Sequence, residues 1–322
     1  MYPLIVIVDS VFTAYKEEQQ VLSATPCRVE IYNPQTERDL IDKVEHADAV
    51  LVNLHTINKK IIQQMKNCKI ISRYGVGVDN VDIDAATEKK IWVAHVPDYC
   101  VEETADHALA LLLTCAHSIA FKDKLIREGM WNLEDRFPVA RMNMCILGII
   151  GYGKTGRLLH RKVSGLGLSR VLVCDPYVSE EEITKLNGIK VELDELLRKA
   201  DFISLHVPLN DQTFHLLGNE EIGKMKSGAV VINTSRGAVI DEKALAAALE
   251  NKRIMSAGLD VFEREPLPLE SPLRKLSNVV LTDHTSYYSI QSRQELKMRT
   301  ARNVLEVLKH GRPLYAVNKI IT

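Results

Sequence analysis

No two cysteines in this 322-residue chain stand in a C-x-x-C pair. The six, Cys27, Cys68, Cys100, Cys115, Cys145 and Cys174, are scattered, which suggests neither a zinc site nor a disulfide framework. Most sit in apolar runs and read as buried filler, a usage that suits a reducing cytoplasm. Net charge is almost missing: 41 basic against 42 acidic side chains leave −1, so no global field draws the chain to nucleic acid or to an anionic membrane. Long apolar runs are missing as well. The most apolar helical stretch, 108–116, is too short to span a bilayer. The apolar start, 1–9, lacks a basic leader and ends in Asp9, so it reads as a buried strand rather than a signal peptide. Asn233-Thr234-Ser235 matches a glycosylation triplet, which without a secretion signal is read as chance. A cytoplasmic protein with no membrane, nucleic-acid or metal partner is expected. No Gly/Ser or Pro linker, fixed-period repeat or low-complexity stretch marks a boundary.

What is present is an alternation. Apolar, β-branched runs of strand length stand at 4–8, 49–52, 69–72, 91–96, 144–150, 171–174, 202–207, 230–233 and 279–282, with helical patterns at 57–65, 158–164, 193–200 and 242–249. Strands apolar on both faces and separated by helices predict parallel sheets covered on both sides. The length exceeds one ordinary core, and two domains are expected. Two longer helices stand out. One is predicted over 101–128, acidic at its start (Glu102, Glu103, Asp106), basic near its end (Lys122, Lys124, Arg127) and followed by Gly129, the polarity a helix favours. At about 1.5 Å per residue it would run about 40 Å, enough to pass between domains. The other covers 290–310 and is closed by Gly311 and Pro313.

The sharpest local signal is Gly151-Tyr152-Gly153-Lys154-Thr155-Gly156, directly after an apolar strand and before a helical pattern. Gly151 would make the tight turn, Gly153 would let a pyrophosphate approach the backbone, and Gly156 would let helix and strand pack closely. The helix N-terminus then offers free N–H groups to the phosphates. A glycine fingerprint alone is weak, and Gly75-Val76-Gly77 is a decoy that lacks the third glycine. The Gly151 turn gains weight from Asp175, which ends the next strand 24 positions later. An acid there accepts from the adenosine ribose hydroxyls and repels a 2′-phosphate, favouring NAD over NADP.

Hydride transfer to a keto acid needs a cation for the carboxylate, a proton donor at the carbonyl oxygen, and a group that keeps that donor protonated. Arg236, after the 230–233 strand, is the cation candidate, because a guanidinium grips a carboxylate bidentately and stays charged. His206 and His284 both follow apolar strands and titrate in the useful range, and pattern alone does not choose between them. Glu265, in Asp260-Val-Phe-Glu-Arg-Glu-Pro266, could favour the protonated form of a neighbouring imidazole. Solvated acids flanking Arg264 are the simpler reading of that stretch.

Taken in order, these residues resemble the D-isomer-specific 2-hydroxyacid dehydrogenase family over nearly the whole chain. The resemblance rests on 73–82 (Arg-Tyr-Gly-Val-Gly-Val-Asp-Asn-Val-Asp), 96–108, the Gly151 turn with Asp175, His206-Val-Pro208, 232–237, 258–266 and Thr282-Asp-His284. Tyr287-Tyr288-Ser289 is similar to the branch close to the C-terminal-binding proteins, and other stretches resemble phosphoglycerate and glycerate dehydrogenases. The resemblance implies an α/β protein of two parallel-sheet domains, a Rossmann-type NAD-binding domain (100–287) inserted into a flavodoxin-like substrate domain (1–99 and 288–322). The long helices would be the crossovers, and the catalytic cleft would lie between the domains.

By the same resemblance His284 is the acid/base, Glu265 its partner and Arg236 the carboxylate and carbonyl binder. The backbone of Tyr74, Gly75, Val76 and Gly77 would hold the substrate carboxylate. Asp260 would meet the nicotinamide amide, Thr234 would lie near the nicotinamide, His206 and Pro208 would line the cofactor site, and Tyr177 and Thr104 would touch cofactor. The implied activity is NAD-dependent interconversion of a small 2-keto acid and its D-2-hydroxy acid, of glyoxylate, hydroxypyruvate, pyruvate or phosphoglycerate type, in a homodimer. Selectivity would depend on side chains near Leu54, Tyr74, Tyr99 and Tyr287. The alternative is an NAD(H)-sensing binding protein of the C-terminal-binding-protein type with little turnover. Retention of Glu265 argues against the formate dehydrogenase branch. Two departures stand out. Asp283 replaces the usual proline before the histidine and would add negative charge near His284, and Tyr287 stands where the corepressor branch often has Trp.

Overall fold

Strand pairing separates the chain into two units, 1–99 with 289–322 and 100–288, in a computed structural model that describes residues 2–9, 11–131 and 139–320. In the first unit, β1 (Leu4–Val8), β2 (Arg28–Tyr32), β3 (Ala49–Val52), β4 (Ile70–Arg73) and β5 (Trp92–Ala94) form an all-parallel sheet in the order β2-β1-β3-β4-β5. This is the flavodoxin-like order. The central strands β1 and β3 are apolar along their length and buried, as strands covered on both faces must be. One face packs Val6, Val8, Val50, Val52, Ile71 and Val93 against Leu40, Val44, Ile61, Ile62 and Ala85 of the flanking helices.

Helix Ile290–His310 returns to this unit from the far end of the chain. Ser289 caps its N-terminus by accepting the Ser292 N–H, and Gly311, at φ 76°, ends it. Two buried polar ties fasten it to the sheet side: Ser72 Oγ donates to the Thr300 carbonyl at 2.9 Å, and Lys297 Nζ donates to Glu17 Oε2 at 2.6 Å.

The second unit holds β6 (Ile146–Ile150), β7 (Arg170–Cys174), β8 (Ile189–Lys190), β9 (Phe202–Leu205), β10 (Val230–Asn233), β11 (Ser256–Leu259) and β12 (Val279–Leu281), all parallel, in the order β12-β11-β10-β9-β6-β7-β8. Six of the strands reproduce the dinucleotide-fold order and β12 extends it by one. Apolar clusters cover both faces of this sheet. Leu196, Leu205, Val231, Leu245 and Leu259 lie in one, and Ala108, Leu112, Ile149, Val173 and Ile232 in the other. The two-sheet α/β architecture expected from the resemblance is the one observed.

Three strands escaped the sequence reading. β2 and β8 are edge strands with exposed positions, so neither is a continuous apolar run. β11 is made of Ser-Ala-Gly-Leu and is wholly buried. A Cβ on its Gly258 would come within 2.9 Å of Leu111 Cβ and 3.3 Å of Cys115 Sγ, so the strand must be small for helix Val101–Ala116 to lie on it. The predicted single helix over 101–128 is corrected to two, Val101–Ala116 and Ile119–Arg127. Ser118 takes a left-handed conformation, φ 53°, which interrupts the ladder. Before the break the helix buries Ala105, Ala108, Leu111, Leu112, Cys115 and Ala116, whereas the second helix buries no side chain. Charge polarity along 101–128 fits one helix or two, so it could not reveal the break. Among the described residues no helix is long and apolar enough to cross a membrane.

Candidate active site and cofactor turn

The glycine turn is built as a cradle. Gly151 takes φ 89°, and a Cβ there would fall 2.6 Å from the His206 carbonyl oxygen. A Cβ on Gly156 would collide with the Gly151 carbonyl, so this glycine sets how close helix Lys154–Val163 sits to β6. Gly153 differs from both. It is exposed and has open space where a Cβ would be, so its backbone is bare toward whatever lies at the helix N-terminus.

Asp175 is fixed by the same turn. Its Oδ2 accepts the Tyr152 N–H at 2.7 Å and its Oδ1 the Tyr177 N–H at 2.8 Å. The Tyr152 ring points inward, with its hydroxyl 2.7 Å from Nδ1 of buried His160, so Tyr152 offers the turn only its backbone. Lys154 is exposed and Thr155 half-buried beside it. Across the turn, Thr234 is buried and its Oγ1 has no hydrogen-bond partner. A buried hydroxyl without a partner costs free energy unless a ligand supplies one. Open backbone at Gly153, a placed acid at Asp175 and this hydroxyl together fit a bound dinucleotide.

The chemistry-bearing side chains sit on neighbouring strand ends. After β10, Asn233 organises the turn: its Oδ1 accepts the Ser235 N–H at 3.0 Å and its Nδ2 donates to the Arg236 carbonyl at 2.8 Å. Gly237 follows, and a Cβ there would overlap the Phe262–Glu263 backbone. That contact presses the Arg236 turn onto the segment after β11. In that segment Glu265 Oε1 accepts the Phe262 N–H at 3.0 Å, and Oε2 lies 2.6 Å from Nδ1 of His284. With Nδ1 held by a carboxylate, Nε2 is the ring nitrogen left to face a substrate.

The two histidines that the residue pattern left open have different partners. His206 is bonded through Nε2 to Ser204 Oγ at 2.9 Å, and burial lowers its pKa to about 4. That shift favours its neutral form near pH 7. His284 has the carboxylate partner.

The D-isomer specific 2-hydroxyacid dehydrogenase NAD-binding-domain model matches residues 109–286. The chain belongs to that family. Glyoxylate reductase of Korarchaeum cryptofilum is 38% identical over 293 residues, covering 89% of this chain and 87% of that protein. D-3-phosphoglycerate dehydrogenase of Archaeoglobus fulgidus is 36% identical over 87% of this chain, which spans only 53% of that longer protein. The crystal structure of D-lactate dehydrogenase from Aquifex aeolicus complexed with NAD and lactic acid superposes with a TM-score of 0.86 at 26% identity, covering 96% of this chain and 98% of that one. This family member is therefore an NAD-dependent oxidoreductase, with 100–288 as the unit that holds the cofactor turn.

The remaining sequence-derived residues fall in two groups. In the second unit of this dehydrogenase, Tyr177 is 84% exposed with its hydroxyl 3.1 Å from Gln212 Oε1, Pro208 is exposed nearby in sequence to His206, and Thr104 is bonded to Cys100 within its helix. Asp260, given to the nicotinamide by resemblance, is 0% exposed. Its carboxylate accepts from Thr282, Thr285 and Ser286 of the loop carrying His284. Burial alone would raise its carboxyl, but the hydrogen bonds from Thr282, Ser286 and Thr285 outweigh burial and hold it below the usual range. Asp283 is exposed and accepts the Thr285 hydroxyl at 2.9 Å.

In the first unit, Val76 is exposed, Gly77 half-buried, and Gly75 takes φ 143°. The Tyr74 side chain is not part of that surface. It is 2% exposed and donates to Glu18 Oε1 at 3.0 Å, which removes it from the selectivity side chains. Tyr99 is 8% exposed and Leu54 56%, while Tyr287 is half-buried. The sequence reading passed over Arg73, whose guanidinium occupies the space a Cβ on Gly75 would take, and His107, which meets Thr282 at 3.0 Å. Both sit inside quoted motifs, but nothing near His107 in sequence marks its distant partner.

Proposed function

We propose that this dehydrogenase reduces a small 2-keto acid to its D-2-hydroxy acid with NADH, with glyoxylate and hydroxypyruvate as the first acids to try. The observation that supports this most is the 2.6 Å contact between His284 Nδ1 and Glu265 Oε2, beside the Arg236 turn. NADH, when bound, supplies the hydride. The Gly153 backbone and the helix N-terminus behind it would hold the pyrophosphate, Asp175 would take ribose hydroxyls, and Thr234 Oγ1 would serve the nicotinamide side. Arg236 binds the substrate's carboxylate and carbonyl oxygen, where its fixed charge stabilises the negative charge that develops. Glu265 orients the His284 ring and favours its protonated form, and Nε2 gives its proton to that oxygen as the carbonyl carbon accepts the hydride.

The test is NADH oxidation followed at 340 nm with a panel of small 2-keto acids, beside the His284→Ala variant. Turnover on one acid that falls about 10²–10⁴-fold in the variant is expected for loss of a proton donor. Near-normal turnover in His284→Ala would remove the donor assignment. Tight NADH binding with no turnover on any acid would favour the sensor reading.

A homodimer is part of the same proposal. Helix Ile119–Arg127 buries none of its own side chains, and Ile119, Ile126, Met130 and Trp131 are exposed, the last at 81%. Clustered apolar exposure of this kind marks an interface, and a second copy supplies an identical apolar surface to meet it. Light scattering at micromolar concentration should give twice the chain mass, and Trp131→Glu should shift it toward one chain mass. A wild-type protein that scatters as a monomer would rule the dimer out.

A further inference from the structure

The loop that presents His284 hangs on one carboxylate. Asp260 Oδ1 accepts the Thr282 hydroxyl at 2.7 Å and the Thr285 N–H at 2.9 Å, and Oδ2 accepts the Ser286 N–H at 2.9 Å. The Asp260 carbonyl takes the His284 N–H at 2.9 Å. His284 itself sits at φ 56°, a left-handed conformation that a residue with a side chain keeps only when its surroundings impose it. His107 reaches the same group from helix Val101–Ala116. Its Nε2 is 3.0 Å from Thr282 Oγ1 and 3.6 Å from Asp260 Oδ1. A threonine hydroxyl has one proton, and Thr282 donates it to Asp260. Its oxygen therefore accepts from His107, which fixes Nε2 of that ring as the protonated nitrogen.

We propose that His107 is a positioning residue for the reaction, tying Thr282 and Asp260 to a buried helix so that the strained loop keeps the His284 ring in register. The inference rests on the reading of His284 as proton donor. The helix is a firm anchor, since Ala105, Ala108, Leu111 and Leu112 around His107 are buried. A displacement of about 1 Å at a reacting group can cost about 100-fold in rate, and loss of one anchor among several should cost less.

His107→Leu is expected to lower kcat about tenfold while the NADH dissociation constant stays unchanged. His107→Gln, whose terminal amide N–H reaches as far as Nε2, should return kcat to within about threefold of wild type, and the shorter His107→Asn should not. Thr282→Val should reproduce the loss, and combining it with His107→Leu should add little, because both break one chain of contacts. A purely space-filling role would let Leu outperform Gln. Wild-type kcat in His107→Leu, or a Gln variant as slow as the Asn variant, overturns the proposal while His284→Ala remains inactive. Full turnover in His284→Ala would overturn the donor assignment and this proposal together.

Discussion

The two sheets are built alike and end differently. At the carboxyl ends of β1 and β4 in the first unit, polar groups are turned on one another. Asp9 accepts from Val11 N–H, Phe12 N–H and the Tyr15 hydroxyl, and Tyr74 donates to Glu18. Lys297 donates to the Ala14 carbonyl and to Glu17, 3.5 Å from Glu18 and over the Phe12 and Tyr15 rings. Burial holds the Glu18 carboxyl above its ordinary value. Burial pushes Glu17 up too, but Lys297 outweighs it and the net is below. At the strand ends of the second unit the groups stay open, with Gly153 bare and Thr234 Oγ1 unpartnered. Two parallel sheets of different strand order thus serve two ends: a polar cluster gathered on one buried cation fixes shape, even though Glu18 Oε2 has only Lys297 at 3.5 Å, and a turn left bare awaits a ligand.

Breaking the closed cluster should have the largest effect. Lys297→Met leaves buried Glu18 and half-buried Glu17 without their cation and is expected to destabilise folding by about 3 kcal/mol, read by urea unfolding, with NADH affinity of the folded protein unchanged. A smaller loss of stability with weaker NADH binding would mean the comparison has the ends reversed. Acid comes next. Burial depresses His206 to about 4, so the folded state resists a proton that the unfolded chain takes up near 6.5. Stability from this residue is present above about pH 6.5 and is lost as pH falls toward about 4, by up to about 3 kcal/mol. In His206→Gln that part of the slope should disappear, and an unchanged slope would place the effect elsewhere. The smallest expected change in folding comes from the open end. A methyl on Gly153 meets nothing in the protein, so Gly153→Ala should alter stability by less than about 1 kcal/mol. It should weaken NADH binding about tenfold, or about 1.4 kcal/mol. Unchanged NADH affinity would show that this backbone is not the pyrophosphate seat.

Much of this was legible in sequence where one physical demand dominates a stretch. Buried parallel strands such as β3 and β6 must be apolar throughout, and the turn after β6 must lack side chains at Gly151 and Gly156. β11 was illegible because its demand is imposed from outside: Gly258 is small for the sake of Leu111 and Cys115, more than 140 positions away in the chain. The choice between His206 and His284 failed for the same reason. The partners that distinguish them are Ser204 and Glu265, and only the fold brings Glu265 to an imidazole. The resemblance makes Tyr74 a pocket residue through the motif it shares with Gly75, Val76 and Gly77, whereas its buried side chain meets Glu18, far away in sequence.

The insertion of 100–288 has a consequence for synthesis. The first unit needs helix Ile290–His310, whose Thr300 and Lys297 meet Ser72 and Glu17 across 228 and 280 positions. Its sheet and the helices that cover one face emerge from the ribosome early, but the other face lacks Ile290–His310 until that helix arrives, while the contiguous second unit can close on its own. Folding therefore runs from the middle outward, and the early strands β1 to β5 spend the longest time with an apolar face exposed to other chains.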